Sequence, residues 1–124
     1  MTKRILVVDD DPDIRQVLQD RLNAYGYAVE TASDGEEALD ALQQGAYDGM
    51  ILDIRMPRID GLEVLRRTRQ SDPSLPVVMV TASKVAEDDL ELISAGAQDL
   101  LLKPFDVAEL KQVVDRWFGP PGRL

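Results

Sequence analysis

ILVVDDDPDI, residues 5–14, sets four apolar residues directly against three consecutive aspartates. Buried strands are usually closed by turn residues rather than by a knot of like charge, because neighbouring carboxylates repel and disfavour one another's ionised form. The run ILVV is continuously apolar instead of alternating, which predicts a strand covered on both faces, as in a parallel sheet. Beyond the acids, Asp11 suits the N-cap of a helix and Pro12 its first position. Ile14, Val17, Leu18, Leu22 and Tyr25 then recur near the 3.6-residue period, and Gly26 is a natural stop. The stretch therefore reads strand, acidic loop, helix.

The same unit recurs along the chain. Apolar β-rich runs lie at 50–52, 77–80 and 100–102, with a weaker one at 28–32. Helical patterns separate them. One covers 35–44, with Ala38, Leu39 and Leu42 inward and Gly45 after it. A third holds Leu62, Val64 and Leu65, with Asp60 as cap or turn residue before it and Asp72-Pro73 and Pro76 around the loop that follows. A fourth, over 86–95, is polar, and its acids Glu87, Asp88, Asp89 and Glu91 read first as a solvated face. A fifth carries Val107, Leu110, Val113, Val114 and Trp117; this stripe is core first, with Trp117 a candidate for an interface. Five strand–helix units joined by right-handed crossovers give an open parallel sheet with helices on both faces. GPPG at 119–122 cannot extend the last helix, so it is a frayed tail or the start of a linker.

At 124 residues, 44% of them hydrophobic, the chain makes one domain with one core. No apolar run approaches the roughly 18–20 residues of a membrane helix, and no signal peptide is visible. Without cysteine there is no disulfide or thiolate zinc site, which fits the cytoplasm. Without histidine there is no imidazole base or ligand. A net charge of −9 repels nucleic acid and anionic membranes but favours hard cations with oxygen ligands.

Ligands of such sheets bind outside the carboxyl ends of the strands. There the sequence offers Asp9 and Asp10 after the first strand, Asp53 after the third, Thr81 after the fourth and Lys103, followed by Pro104, after the fifth. Each has an ordinary reading alone: turn residue, strand-end acid, helix cap, solvated lysine. Gathered at one edge they form a different object. A divalent ion offsets the repulsion of the carboxylates, and Mg²⁺ takes one or two of them together with waters and phosphate oxygens. Lys103 and Thr81 could serve the remaining oxygens of a phosphoryl group, the chemistry of phosphoryl transfer to a carboxylate.

VVDDD, ILDIRMPRIDG, VTAS and LLKPF, in this order and at these strand ends, resemble the receiver domain of bacterial two-component response regulators, chemotaxis-regulator-like, over residues 1–118. The resemblance implies a flavodoxin-like doubly wound sheet of strand order 2-1-3-4-5. It implies Asp53 as acceptor of a phosphoryl group from the phosphohistidine of a sensor kinase or phosphotransfer protein. Mg²⁺, or Mn²⁺, would be held by the side chains of Asp10 and Asp53, by Asp9 through a water, and by the backbone carbonyl of Arg55. Lys103 would pair with the phosphoryl group and Thr81 close onto it. Pro57 and Gly61 match the loop after the acceptor, where glycine permits unusual backbone angles. Lys103-Pro104 would be a cis peptide, and the residues at Arg55 and Ser83 would tune phosphate lifetime. Output would pass to an effector domain or protein through the face of the fourth and fifth helices and fifth strand, with homodimerisation through that face also implied.

One position departs from the pattern. Receivers usually carry an aromatic residue or histidine three positions before the strand-five lysine; here it is Leu100, which has no ring to swing inward. A phosphate-independent, receiver-like interaction module is therefore the alternative to a phosphorylation switch. A true phosphatase with an aspartyl nucleophile would require a second acid two residues after Asp53, where Arg55 stands. A flavin site would require a Ser/Thr/Gly-rich phosphate loop after strand one.

Overall fold

The computed structural model describes residues 2–82 and 94–122. Among them are five strands, β1 (Arg4–Val8), β2 (Ala28–Ala32), β3 (Gly49–Asp53), β4 (Val77–Thr81) and β5 (Asp99–Leu102), forming one sheet of order β2-β1-β3-β4-β5. Every pairing is parallel. The helices are α1 (Pro12–Ala24), α2 (Gly35–Gln44), α3 (Gly61–Ser71) and α4 (Val107–Trp117), the last being the fifth helix of the sequence reading. The helix expected over 86–95 lies, but for its last two residues, outside the described residues, as do Ser83 and the acids at 87–91.

Side chains of a strand alternate between faces, and this divides the core in two. Leu6, Val8, Met50, Leu52, Val77 and Met79 meet Ala38 of α2 and Val64 and Leu65 of α3. Ile5, Val7, Ile51, Val78, Val80 and Leu101 meet Leu18 and Leu22 of α1 and Leu110, Val113 and Val114 of α4. β3 and β4 are buried throughout, which is why their sequences are continuously apolar. β2 lies at the sheet edge with only Ala32 buried, which explains its weak signal. Val17 is 49% exposed instead of inward. Ile14, Leu18, Leu22 and Tyr25 fall within one sector of α1, and Val17 projects beside it.

Each described helix starts at an aspartate. Asp11 accepts from the Asp13 amide, Asp34 from Glu37, Asp60 from Glu63 and Asp106 from Glu109. Such caps contribute about 1 kcal/mol each and place negative charge at the positive end of the helix dipole. Part of the acidity of the chain is thus structural. At the other end of α4, the half-buried Trp117 donates its indole N–H to Asp99 of β5 at 2.9 Å.

The 119–122 segment is not frayed. Lys3 N donates to the Pro121 carbonyl at 2.7 Å and Lys3 Nζ to that of Phe118 at 2.6 Å. Tyr27 donates its hydroxyl to the Gly119 carbonyl, and Thr2 bridges Gly122. Gly119, at φ 69°, turns the chain out of the helix ahead of Pro120, and the turn lays the chain across the amino ends of β1 and β2, away from the acidic edge.

Candidate phosphoacceptor and metal site

The parallel sheet brings the carboxyl ends of β1, β3, β4 and β5 to one edge. Asp9 continues the β1–β2 ladder by one residue, its amide donating to Ala32 O at 3.2 Å, and is 1% exposed. Its Oδ1 accepts from the Asp11 amide at 2.9 Å, which folds the chain back into α1. Asp10 projects to solvent at the rim. Asp53 closes β3 and is 5% exposed. Ligand oxygens of Asp9, Asp10 and Asp53 lie within 4.8 Å of one another.

Lys103 enters from the far strand. Its Nζ lies 3.0 Å from Asp9 Oδ2 and 3.6 Å from Asp53 Oδ2. Its amide donates to the Thr81 carbonyl at 2.7 Å, so the ends of β4 and β5 are fastened together. Thr81 itself is buried. The Lys103-Pro104 peptide is cis. Arg55 is exposed, and its amide approaches Asp53 Oδ1 at 3.4 Å.

Burial pushes the Asp53 carboxyl up to about 7, reinforced by the charge of Asp9; the Lys103 ammonium and the Arg55 amide oppose this, and Asp10 accepts from the protonated form. Burial lowers the Lys103 pKa, but hydrogen bonding and charge from Asp9 and Asp53 outweigh it, so the net direction is up and the ammonium is held. One ammonium thus faces two buried carboxylates, with a third at the rim.

This donor set fits a hard divalent cation. All its ligands are oxygens, and the buried Asp9 Oδ2 faces Lys103 Nζ at 3.0 Å with no other donor on it among the described residues. Among the described residues, Asp9, Asp10 and Asp53 are the group placed to hold a divalent metal ion.

Gly61 serves closeness of approach, not unusual backbone angles: it is not among the positive-φ glycines. A Cβ there would run into the Asp53 carbonyl oxygen and lie 2.8 Å from Ile54 Cα. The loop's left-handed residue is Arg58, φ 66°, whose guanidinium pairs with Asp34 at 2.8 Å. The sequence reading also passed over Arg15, whose Nη1 donates to the Asp9 carbonyl at 2.7 Å. Its signal was its place on the first turns of the helix that follows the acidic loop.

An open parallel sheet with three carboxylates and a lysine at its carboxyl edge defines an aspartate-centred switch domain. The response regulator receiver domain family matches residues 5–115, and the chain belongs to that family. Response regulator MprA of Mycobacterium tuberculosis (strain ATCC 25177 / H37Ra) is 46% identical over 110 residues, 89% of this chain and 48% of that protein. The chain thus spans about half the length of the curated relatives it matches. Among solved structures, chemotaxis protein CheY4 of Vibrio cholerae superposes with TM-score 0.90 at 34% identity, covering 94% of this chain and 99% of that one. Response regulator TrrA of Thermotoga maritima, in complex with Mg²⁺-BeF, gives 0.83 at 43% identity, covering 92% and 97%. The chain is a signalling domain of two-component systems. Among its described residues no helix is long and apolar enough to cross a membrane.

Proposed function

We propose that this domain accepts a phosphoryl group on Asp53 from the phosphohistidine of a sensor kinase or phosphotransfer protein, and that the change alters its affinity for an effector. The observation that carries this reading is the meeting of Asp9, Asp10 and Asp53 within 4.8 Å, with Lys103 Nζ at 3.0 Å and 3.6 Å from two of them. An Asp53 oxygen attacks phosphorus, the P–N bond breaks, the imidazole leaves, and an acyl phosphate forms. Asp10 and Asp53 would hold Mg²⁺ or Mn²⁺ by their side chains, Asp9 through a water, and Arg55 by its carbonyl. When bound, the ion supplies positive charge that offsets carboxylate and phosphoryl repulsion. Lys103 shifts toward the new phosphoryl oxygens and Thr81 donates its hydroxyl to one of them. That TrrA, a response regulator 43% identical to this chain, was solved in complex with Mg²⁺-BeF supports a divalent ion in such a domain.

The domain itself turns over no metabolite and works in the cytoplasm; it promotes only its own phosphorylation and dephosphorylation. Its acidity argues against direct nucleic-acid binding, so output passes through the face of β5 and α4 to an effector domain or protein, or to a second copy. Residues 1–118 form the receiver, and 119–124 a tail or the start of a linker.

The test is acetyl phosphate labelling followed by intact mass, with and without Mg²⁺, on wild type and Asp53→Asn. One added phosphoryl mass, dependent on metal and absent from the variant, is expected. A phosphate-independent interaction module has Leu100 in its favour: it is half-buried against the α2–α3 side of the core, where no ring is available to move. Absence of labelling together with no beryllofluoride binding would favour that second reading.

A further inference from the structure

Asp9 and Asp10 are consecutive, so one peptide unit, the Asp9 carbonyl with the Asp10 amide, sets the direction of both side chains. Three contacts fix it. The Asp9 amide is held by Ala32 O at 3.2 Å and its Oδ1 by the Asp11 amide at 2.9 Å. The Asp9 carbonyl, which an Asp-rich loop would otherwise leave to solvent, accepts from Arg15 Nη1 at 2.7 Å. Arg15 also enters α1 through its own amide, which donates to Asp11 O at 3.0 Å. The half-buried guanidinium and the first helical turn therefore grip the same loop from two sides.

We infer that Arg15 is a positioning residue for the acidic pocket: by holding the Asp9 carbonyl it turns the Asp9–Asp10 peptide so that both carboxylates converge with Asp53 on one cation. This rests on the metal reading given above. Its sign separates it from plain electrostatics. A guanidinium beside an anionic pocket repels a cation, so its charge alone would make removal tighten binding. If orientation dominates, removal weakens binding. Partners that orient metal ligands from outside typically contribute about 10- to 100-fold in affinity.

The experiment is an Mg²⁺ titration of the ¹⁵N-labelled chain, followed by amide shifts, on wild type, Arg15→Met, Arg15→Lys and, as control, Asp10→Asn. Methionine keeps the apolar stem but has neither donor nor charge. Lysine keeps the charge and one flexible donor in place of the planar fork. Arg15→Met should raise the Mg²⁺ Kd about tenfold, with Arg15→Lys intermediate. An Arg15→Met affinity equal to or tighter than wild type overturns the inference, even if the melting temperature falls. Should Arg15→Met fail to fold, Arg15→Lys decides: weaker binding supports positioning, and wild-type affinity refutes it. Wild type that binds no Mg²⁺ would refute the metal reading itself and the inference with it, whereas wild type that binds, with Asp10→Asn weakened and Arg15→Met not, would refute the inference alone.

Discussion

Asp53→Asn removes a buried, costly charge with little change in side-chain shape. The folded-state pKa of Asp53 stands at about 7, against an ordinary value of 3.8. Below both values the residue is protonated in either state and has no effect on folding. Between them the folded chain holds a proton that the unfolded chain has released, so stability falls as pH rises; above about 7 the penalty is fully present. At about 1.4 kcal/mol per pH unit, the interval amounts to a ceiling of about 4 kcal/mol. Wild type should lose about 2–3 kcal/mol relative to Asp53→Asn between about pH 5 and about pH 8. Urea unfolding monitored through Trp117, the one tryptophan, measures this directly. Mg²⁺ should then close the gap, since a hundredfold excess over Kd adds about 2.7 kcal/mol to a chain that binds it and far less to one lacking a ligand. A variant no more stable than wild type at the higher pH, or a difference equal at both pH values, would refute the reasoning.

Lys103→Met leaves Asp9 and Asp53 without the ammonium that faces them, at a cost of about 3 kcal/mol in urea unfolding. Because Lys103 holds the Asp53 pKa down, the variant's acetyl phosphate labelling should be lower and its pH profile displaced upward. Gly61→Ala drives a methyl group into the backbone of Asp53 and Ile54, which has little room to yield; a loss of about 1–3 kcal/mol is expected, with slower labelling. Tyr27→Phe deletes the hydrogen bond to Gly119 at the opposite end of the sheet. It should lower stability by about 1 kcal/mol while leaving labelling at the wild-type rate.

The sequence made strand ends legible because burial leaves a plain record. β3 and β4 are buried on both faces, so their runs are apolar without interruption, and the acid or hydroxyl that ends each one marks the edge. Asp9, Asp53 and Lys103 could be placed together from topology alone. β2 was faint because an edge strand with one buried residue needs little apolar content. What stayed hidden were contacts made by long or ordinary side chains across large separations. Arg15 on Asp9 O, Trp117 on Asp99 and Lys3 on the tail carbonyls follow from side-chain reach, which no periodicity encodes. Gly61 was chosen correctly for a partly different reason, since a missing side chain looks the same in sequence whether it frees a dihedral or admits a neighbour.

The ammonium of Lys103 links the chemistry to any change of shape. Unmodified, it lies nearer Asp9 than Asp53, 3.0 Å against 3.6 Å, while Asp53 is held short of full ionisation near neutrality. A phosphoryl group on Asp53 would bring a charge approaching about −2 to the end of β3, enough to draw the ammonium from Asp9. The stem of Lys103 is flexible, but its amide is fastened to Thr81 O at 2.7 Å and β4 and β5 are paired residue by residue from Val78 to Thr81, so any pull that reaches its backbone is shared by both strands. The displacement would therefore pass along the two strands together. In this chain β5 carries Leu100 three residues before the lysine, already seated on the core beside α2 and α3 and with no ring to turn. Among the described residues, one route to the surface would be the backbone of β5 itself, with Asp99 next in line and bonded to Trp117 of α4.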